Sequence, residues 1–218
     1  MMIPDRAYQE AYRIILMEMQ ANAAQNINDE SAIPSYINDN WLMSWVFWKR
    51  IFTAFSLAGN LANKTVLDFG CGAGVTFKYL WECHSVIVGC DNKYSHLTQS
   101  TCARFGIKAE IHQNLFQIKG RKFDYIFALD VFEHIQDLSG VVDHLLSLSN
   151  DRTVLVVSGP TENVVYKLGR KLAGFSGDYH VRNIYEIEKF LRQKGLRNKG
   201  MKVLRFPFPL FRVSTWTF

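Results

Sequence analysis

The run Thr65-Val-Leu-Asp-Phe-Gly-Cys-Gly-Ala-Gly-Val75 restricts the folds open to this 218-residue chain more than any other segment. It reads as an apolar strand carrying one carboxylate, Asp68, and then three glycines, Gly70, Gly72 and Gly74, at alternate positions. Glycines in that spacing let the backbone turn sharply and approach a ligand closely, where a Cβ would block both. Thr76-Phe-Lys-Tyr-Leu-Trp-Glu82 then resumes with helical character. Strand, tight turn and helix N-terminus are the parts by which open α/β folds hold nucleotide-like ligands. Many βα junctions carry glycine for structural reasons alone, so the flanking pattern decides.

That pattern alternates. Val86–Asp91 is a second apolar strand ending in an acid, followed by a helix near Tyr94–Phe105 and a short third strand at Ala109–His112. Phe123–Asp130 and Thr153–Ser158 read as strands four and five, with a helix over Leu138–Leu148 between them. Strands alternating with helices imply a parallel sheet covered on both faces. Ahead of this unit, residues 5–22 predict a helix with Tyr8, Ala11, Tyr12, Ile15 and Met19 on one face, and Asn22–Ser35 a polar connector. A second helix, Asp39–Ala58, stops at Gly59 and carries an aromatic stripe of Trp41, Trp45, Trp48, Phe52 and Phe55. The stripe is read as core, or with Tyr36, Trp41 or Trp45 closing over a ligand. Beyond Gly159-Pro160 the pattern gives a short basic helix at Glu162–Gly174, a loop at Phe175–Arg182, a helix at Ile184–Lys194, and a terminal hairpin within Met201–Phe218.

Composition narrows the class. The apolar content of 48% and charged content of 21% are those of a globular domain, and no apolar run reaches the ~18 residues needed to cross a bilayer. The N-terminus lacks a secretory pattern, so a cytoplasmic location is expected. Cys71, Cys83, Cys90 and Cys102 form no CxxC pair, and the six histidines form no HxxxH or HExxH pair, so no metal site is expected. A net charge of +5 is compatible with an acidic substrate, an anionic lipid surface or RNA; a dedicated nucleic-acid function is not favoured.

Asp91 follows Gly72 by 19 residues, where a carboxylate reaches the ribose hydroxyls of a bound nucleoside. A dinucleotide site would want glycine at position 75, where the chain has Val75, and Asp68 would repel a pyrophosphate. A pyrophosphate-free ligand with a cationic group fits better. Val66-Leu-Asp-Phe-Gly-Cys-Gly-Ala-Gly74, Gly89-Cys-Asp91 and Phe123-Asp-Tyr-Ile-Phe-Ala-Leu-Asp-Val-Phe-Glu-His-Ile135 resemble the first, second and fourth motifs of class I S-adenosylmethionine-dependent methyltransferases, with the flavour of the type 11 group. The similarity covers roughly residues 40–200.

The resemblance implies a Rossmann-like, doubly wound α/β fold: a mostly parallel seven-stranded sheet with helices on both faces and a C-terminal β-hairpin. Residues 1–60 would be an N-terminal helical cap, 61–218 the S-adenosylmethionine domain, and an insertion at 161–182 an acceptor lid. Gly70, Cys71, Gly72 and Gly74 would run beneath the methionine and ribose of S-adenosylmethionine, with Asp68 ordering that turn or the amino group. Asp91 would take the ribose hydroxyls, Asn92 and Leu115 would lie by the adenine, Asn114 would accept from its amino group, and Asp130 and Val131 would line the methyl end. S-adenosylhomocysteine would be the product. Methyl transfer is in-line displacement, so orientation and desolvation dominate, and an oxygen acceptor adds the need for a base. His134 and His180 are the candidates, with Tyr179 and Arg182 on the substrate side. The expected acceptor is a small-molecule or lipid- or glycan-linked hydroxyl, with peripheral membrane contact through the 161–182 segment. An RNA or protein acceptor, or a binding module without turnover, are the alternatives.

Overall fold

The computed structural model describes residues 6–22, 33–37, 41–161, 181–205 and 208–218. Its helices are α1 (Arg6–Asn22), α2 (Pro34–Ile37), α3 (Trp41–Ala58), α4 (Phe77–Glu82), α5 (Ser95–Phe105), α6 (Leu138–Ser147) and α7 (Ile184–Gln193). The strands are β1 (Thr65–Phe69), β2 (Val86–Cys90), β3 (Glu110–His112), β4 (Tyr125–Leu129), β5 (Val154–Pro160), β6 (Arg197–Arg205) and β7 (Pro209–Thr217). They form one seven-stranded sheet in the order β3-β2-β1-β4-β5-β7-β6. The pairs from β3 to β5 are parallel, and β7 runs antiparallel to both β5 and β6. The Rossmann-like sheet and C-terminal hairpin expected from the sequence are therefore present.

Side chains alternate across each strand, and in β1, β2, β4 and β5 both faces are buried, which is why these strands read as continuous apolar runs. Val66, Ile87, Phe127, Val156 and Val213 point to one face, under α1, α3, α4 and α5. Leu67, Val88, Ile126, Leu155 and Trp216 point to the other, against α6 and α7. Gly89 in β2 is required by this packing, because a Cβ there would lie 2.6 Å from Phe77 Cζ. Helix α7 begins with a capping box, in which Asn183 accepts from Tyr185 and Glu186 N–H and Glu186 accepts from Asn183 N–H.

Three details differ from the sequence reading. The buried face of α3 is Val46, Phe47, Trp48, Arg50, Ile51, Ala54 and Phe55. Trp45 is 42% exposed, because the helix presents that other apolar row to the sheet. Strand β6 starts at Arg197 rather than Met201: it is a polar edge strand whose ladder with β7 needs no apolar run. Helix α4 starts at Phe77 rather than Thr76. Residues 162–180, which include the expected basic helix and most of the expected lid, lie outside the described residues, as do residues 23–32 of the connector.

Candidate active site

At the C-terminal ends of the parallel strands lies a cavity of about 690 Å³. The glycine turn forms its floor and is stapled to β2: Gly70 and Cys71 N–H both donate to Cys90 O, at 2.7 and 3.2 Å. Thr98 and Thr101 of α5 donate to Gly72 O and Ala73 O, each at 2.7 Å. Gly70 has φ +76°, and a Cβ there would lie 1.7 Å from Val131 Cγ2. Glycine is thus required at 70 both by backbone conformation and by the β4 loop packed on it.

Asp91 closes the turn from the β2 end. Its Oδ2 accepts from Gly72 N–H at 2.9 Å, and its Oδ1 accepts from Lys93 and Tyr94 N–H at 2.9 and 2.7 Å. Oδ2 retains a lone pair for a further donor. Asp68 lies beneath the turn, 3% exposed, with Thr76 Oγ1 donating to its Oδ2 at 2.5 Å. Burial pushes the Asp68 carboxyl up to about 7; the Thr76 hydrogen bond opposes this and the nearby Asp91 charge adds to it. Burial likewise raises the Cys71 thiol well above its ordinary range, so Cys71 is a protonated packing group here.

The opposite wall is built around a buried cation. Arg50 of α3 forms an ion pair with Asp130, and its Nη2 donates to Tyr36 Oη at 2.9 Å. The guanidinium stacks on Phe47 and Phe211, 4.9 and 5.4 Å from the ring centroids. Its Nε–H is buried and has no hydrogen-bond partner among the described residues. Asp130 also accepts from Ser158 Oγ at 2.6 Å and has φ +55°, a left-handed conformation rare outside glycine and frequent at functional sites.

Of the residues expected at the site, Tyr36, Asp68, Gly70, Cys71, Gly72, Asp91, Asn92, Asn114, Leu115, Asp130, Val131 and His134 all border this cavity. Asn114 Oδ1 accepts from Phe116 N–H at 2.9 Å, capping a single turn of 3-10 helix. Gly74 lies behind the turn, its carbonyl accepting from Tyr12 Oη at 2.8 Å. Arg182 is away from the lining and donates to the Ile135 and Gln136 carbonyls. Trp45 is also away from it. Trp41 opens α3, but its side chain, like Tyr179 and His180, lies outside the described residues. Sequence reasoning missed Arg50. The available signal was a charge in register with Val46, Phe47 and Ala54, on the face that packs against the sheet.

A family model described as a methyltransferase domain matches residues 45–205. The chain is 28% identical to a ubiquinone biosynthesis O-methyltransferase of Bartonella quintana over 147 residues, which is 62% of this chain and 58% of that protein. It thus spans a little over half of that relative's length. Two solved structures share the fold at TM-score 0.65: magnesium protoporphyrin IX methyltransferase from Synechocystis with bound S-adenosylhomocysteine, and N-methyltransferase NodS from Bradyrhizobium japonicum in complex with the same molecule. The first is 21% identical and covers 97% of each chain; the second is 16% identical and covers 98% of each. Because the family model spans well over half of its residues, the chain belongs to the methyltransferase-domain family, and it has the fold of the class I S-adenosylmethionine-dependent enzymes.

Proposed function

We propose that this protein transfers a methyl group from S-adenosylmethionine to an oxygen of a small-molecule acceptor. The observation that carries the reading is one cavity in which Asp91, Asp68 and the glycine turn face the buried, incompletely satisfied Arg50. The residues fit the cofactor group by group. Asp91 Oδ2, which keeps a lone pair beside its bond from Gly72 N–H, would accept from a ribose hydroxyl; Asn92 and Leu115 would flank the adenine, and Asn114 Oδ1 would accept from the adenine amino group. Arg50 Nε–H suits the carboxylate of the methionine end, and Asp68 favours a cation above the turn. The bound sulfonium supplies an electrophilic methyl group. The chain's residues then orient donor and acceptor and exclude water.

An oxygen acceptor is supported by the likeness to a ubiquinone biosynthesis O-methyltransferase. A hydroxyl acceptor must lose a proton as it attacks. His134, exposed at the cavity rim, and His180 are the candidate bases, with residues 161–182 as the cover over the acceptor. Peripheral contact with an anionic membrane through that segment, a lipid-linked acceptor and a cytoplasmic setting belong to the same reading. No described helix is long and apolar enough to cross a membrane. Calorimetry with S-adenosylhomocysteine tests the site: micromolar binding is expected, weakened in Asp91→Ala, and no binding would overturn the assignment. Transfer of a radiolabelled methyl group to phenolic acceptors then tests the chemistry. Cofactor binding without transfer to any acceptor would leave a binding module instead.

A further inference from the structure

Helix α4 leaves the glycine turn without the usual means of satisfying its first amides. A threonine at the N-cap ordinarily accepts from the N–H two or three residues on. Thr76 stands at that position but makes no such bond: its backbone is already helical rather than extended, and its hydroxyl turns to donate to Asp68. Of the first three helical amides, Phe77 N–H reaches Gly74 O at 3.0 Å. The other two are met from α1: Lys78 N–H donates to Tyr12 Oη at 3.1 Å, and Tyr79 N–H donates to Tyr8 Oη at 3.4 Å.

Each of these hydroxyls also donates back to the turn. Tyr12 Oη donates to Gly74 O at 2.8 Å, and Tyr8 Oη donates to Val75 O at 2.6 Å. Two phenols, 5% and 0% exposed, therefore bridge the end of the glycine turn and the start of α4. Their rings are held by Trp48 of α3 and Phe105 of α5. No described residue of α1 borders the cavity, whereas Gly72, Ala73, Val75 and Thr76 all do. The two hydroxyls give α1 a direct connection to that turn, beside its packing on Trp48 of α3.

We infer that Tyr8 and Tyr12 are positioning residues for the cofactor, through which the docking of α1 sets the geometry of the glycine turn. The inference rests on the cofactor reading above. A merely structural role would require the two hydroxyls for stability alone. A positioning role makes docking and affinity two sides of one coupling: if docked α1 favours binding, binding must favour docked α1.

The experiment combines hydrogen exchange with calorimetry on the full chain, using S-adenosylhomocysteine. Saturating ligand is expected to slow amide exchange across residues 6–22, although none of them lines the cavity. Tyr8→Phe/Tyr12→Phe keeps both rings and removes only the hydroxyls; its Kd is expected to rise on the order of tenfold. Leu191→Ala, in α7 on the opposite face of the sheet, should lower stability while leaving Kd within about twofold. Unchanged exchange in α1 on binding, or a wild-type Kd in the double variant, would overturn the inference. Should the double variant fail to fold, exchange in the wild-type chain decides the matter. Absence of binding by the wild-type chain would instead remove the cofactor reading, and this inference with it.

Discussion

Asp68 should make ligand affinity depend on pH in a defined window. Its carboxyl is 3% exposed, held by one hydroxyl, and pushed up to about 7 from an ordinary 3.8. The folded chain therefore keeps this proton up to about pH 7, while the unfolded chain releases it near pH 4. Between those values the folded state binds more protons, so stability falls as pH rises, by roughly 4 kcal/mol in all for a shift of this size. A cation bound above the turn stabilises the carboxylate, and binding below pH 7 must then release the proton. Affinity for S-adenosylmethionine should rise with pH from about 5 to about 7, by up to about tenfold per unit, and level off above. The cofactor's own amino group titrates near ~7.8, outside most of this window. Calorimetry in buffers of different ionisation enthalpy should find most of one proton released at pH 6 and about half of one at pH 7. Asp68→Asn removes the titration and should flatten the profile. It should also be more stable than wild type at pH 8, where the buried charge is gone. A flat profile in the wild-type chain, or an equal slope in Asp68→Asn, would refute the reasoning.

Other expectations are more local. Gly70→Ala drives a methyl into Val131 at a left-handed backbone position, so a loss of roughly 2–4 kcal/mol is expected in urea unfolding. Gly70→Ala/Val131→Ala should recover only the steric part of that loss. Arg50→Met leaves the part-buried Asp130 carboxylate with Ser158 Oγ but without its cation, which should destabilise by about 2–3 kcal/mol; Arg50→Met/Asp130→Asn should lose less than the sum of the single changes. His180→Ala is expected to lower kcat with the true acceptor while leaving S-adenosylhomocysteine affinity unchanged, and wild-type turnover would remove His180 from the mechanism.

Much of this is legible in the sequence because it is set by local spacing. Asp91, 19 residues beyond Gly72, and the alternating strands are read from spacing alone. Features fixed by distant partners were not legible. Gly70 looks like a ligand-approach glycine, yet the nearest obstacle to a side chain is Val131. Thr76 reads only as the start of a helical run, and its bond to Asp68 leaves no local trace. The large tryptophans of α3 suggested the wrong centre for its buried face, and Arg50 gained meaning only once Asp130, at the end of β4, stood beside it. Edge strand β6 was foreshortened because its first residues pair through backbone groups, which leave no trace in side-chain pattern.

The strand order also bears on how the molecule assembles. Strand β6 touches the rest of the sheet through β7, which follows it in the chain yet lies inside it, paired with β5 from Val154↔Thr217 to Pro160↔Phe211. The sheet therefore is not laid out in chain order: β6 joins it only through β7, whose pairing with β5 bridges about as much sequence as that of β1 with β4. Phe211 of that same strand is one of the two rings on which Arg50 rests. The antiparallel strand that admits β6 to the sheet thus also completes the wall of the site: without β7 the glycine turn and Asp91 would keep their partners, but this cation would rest on Phe47 alone.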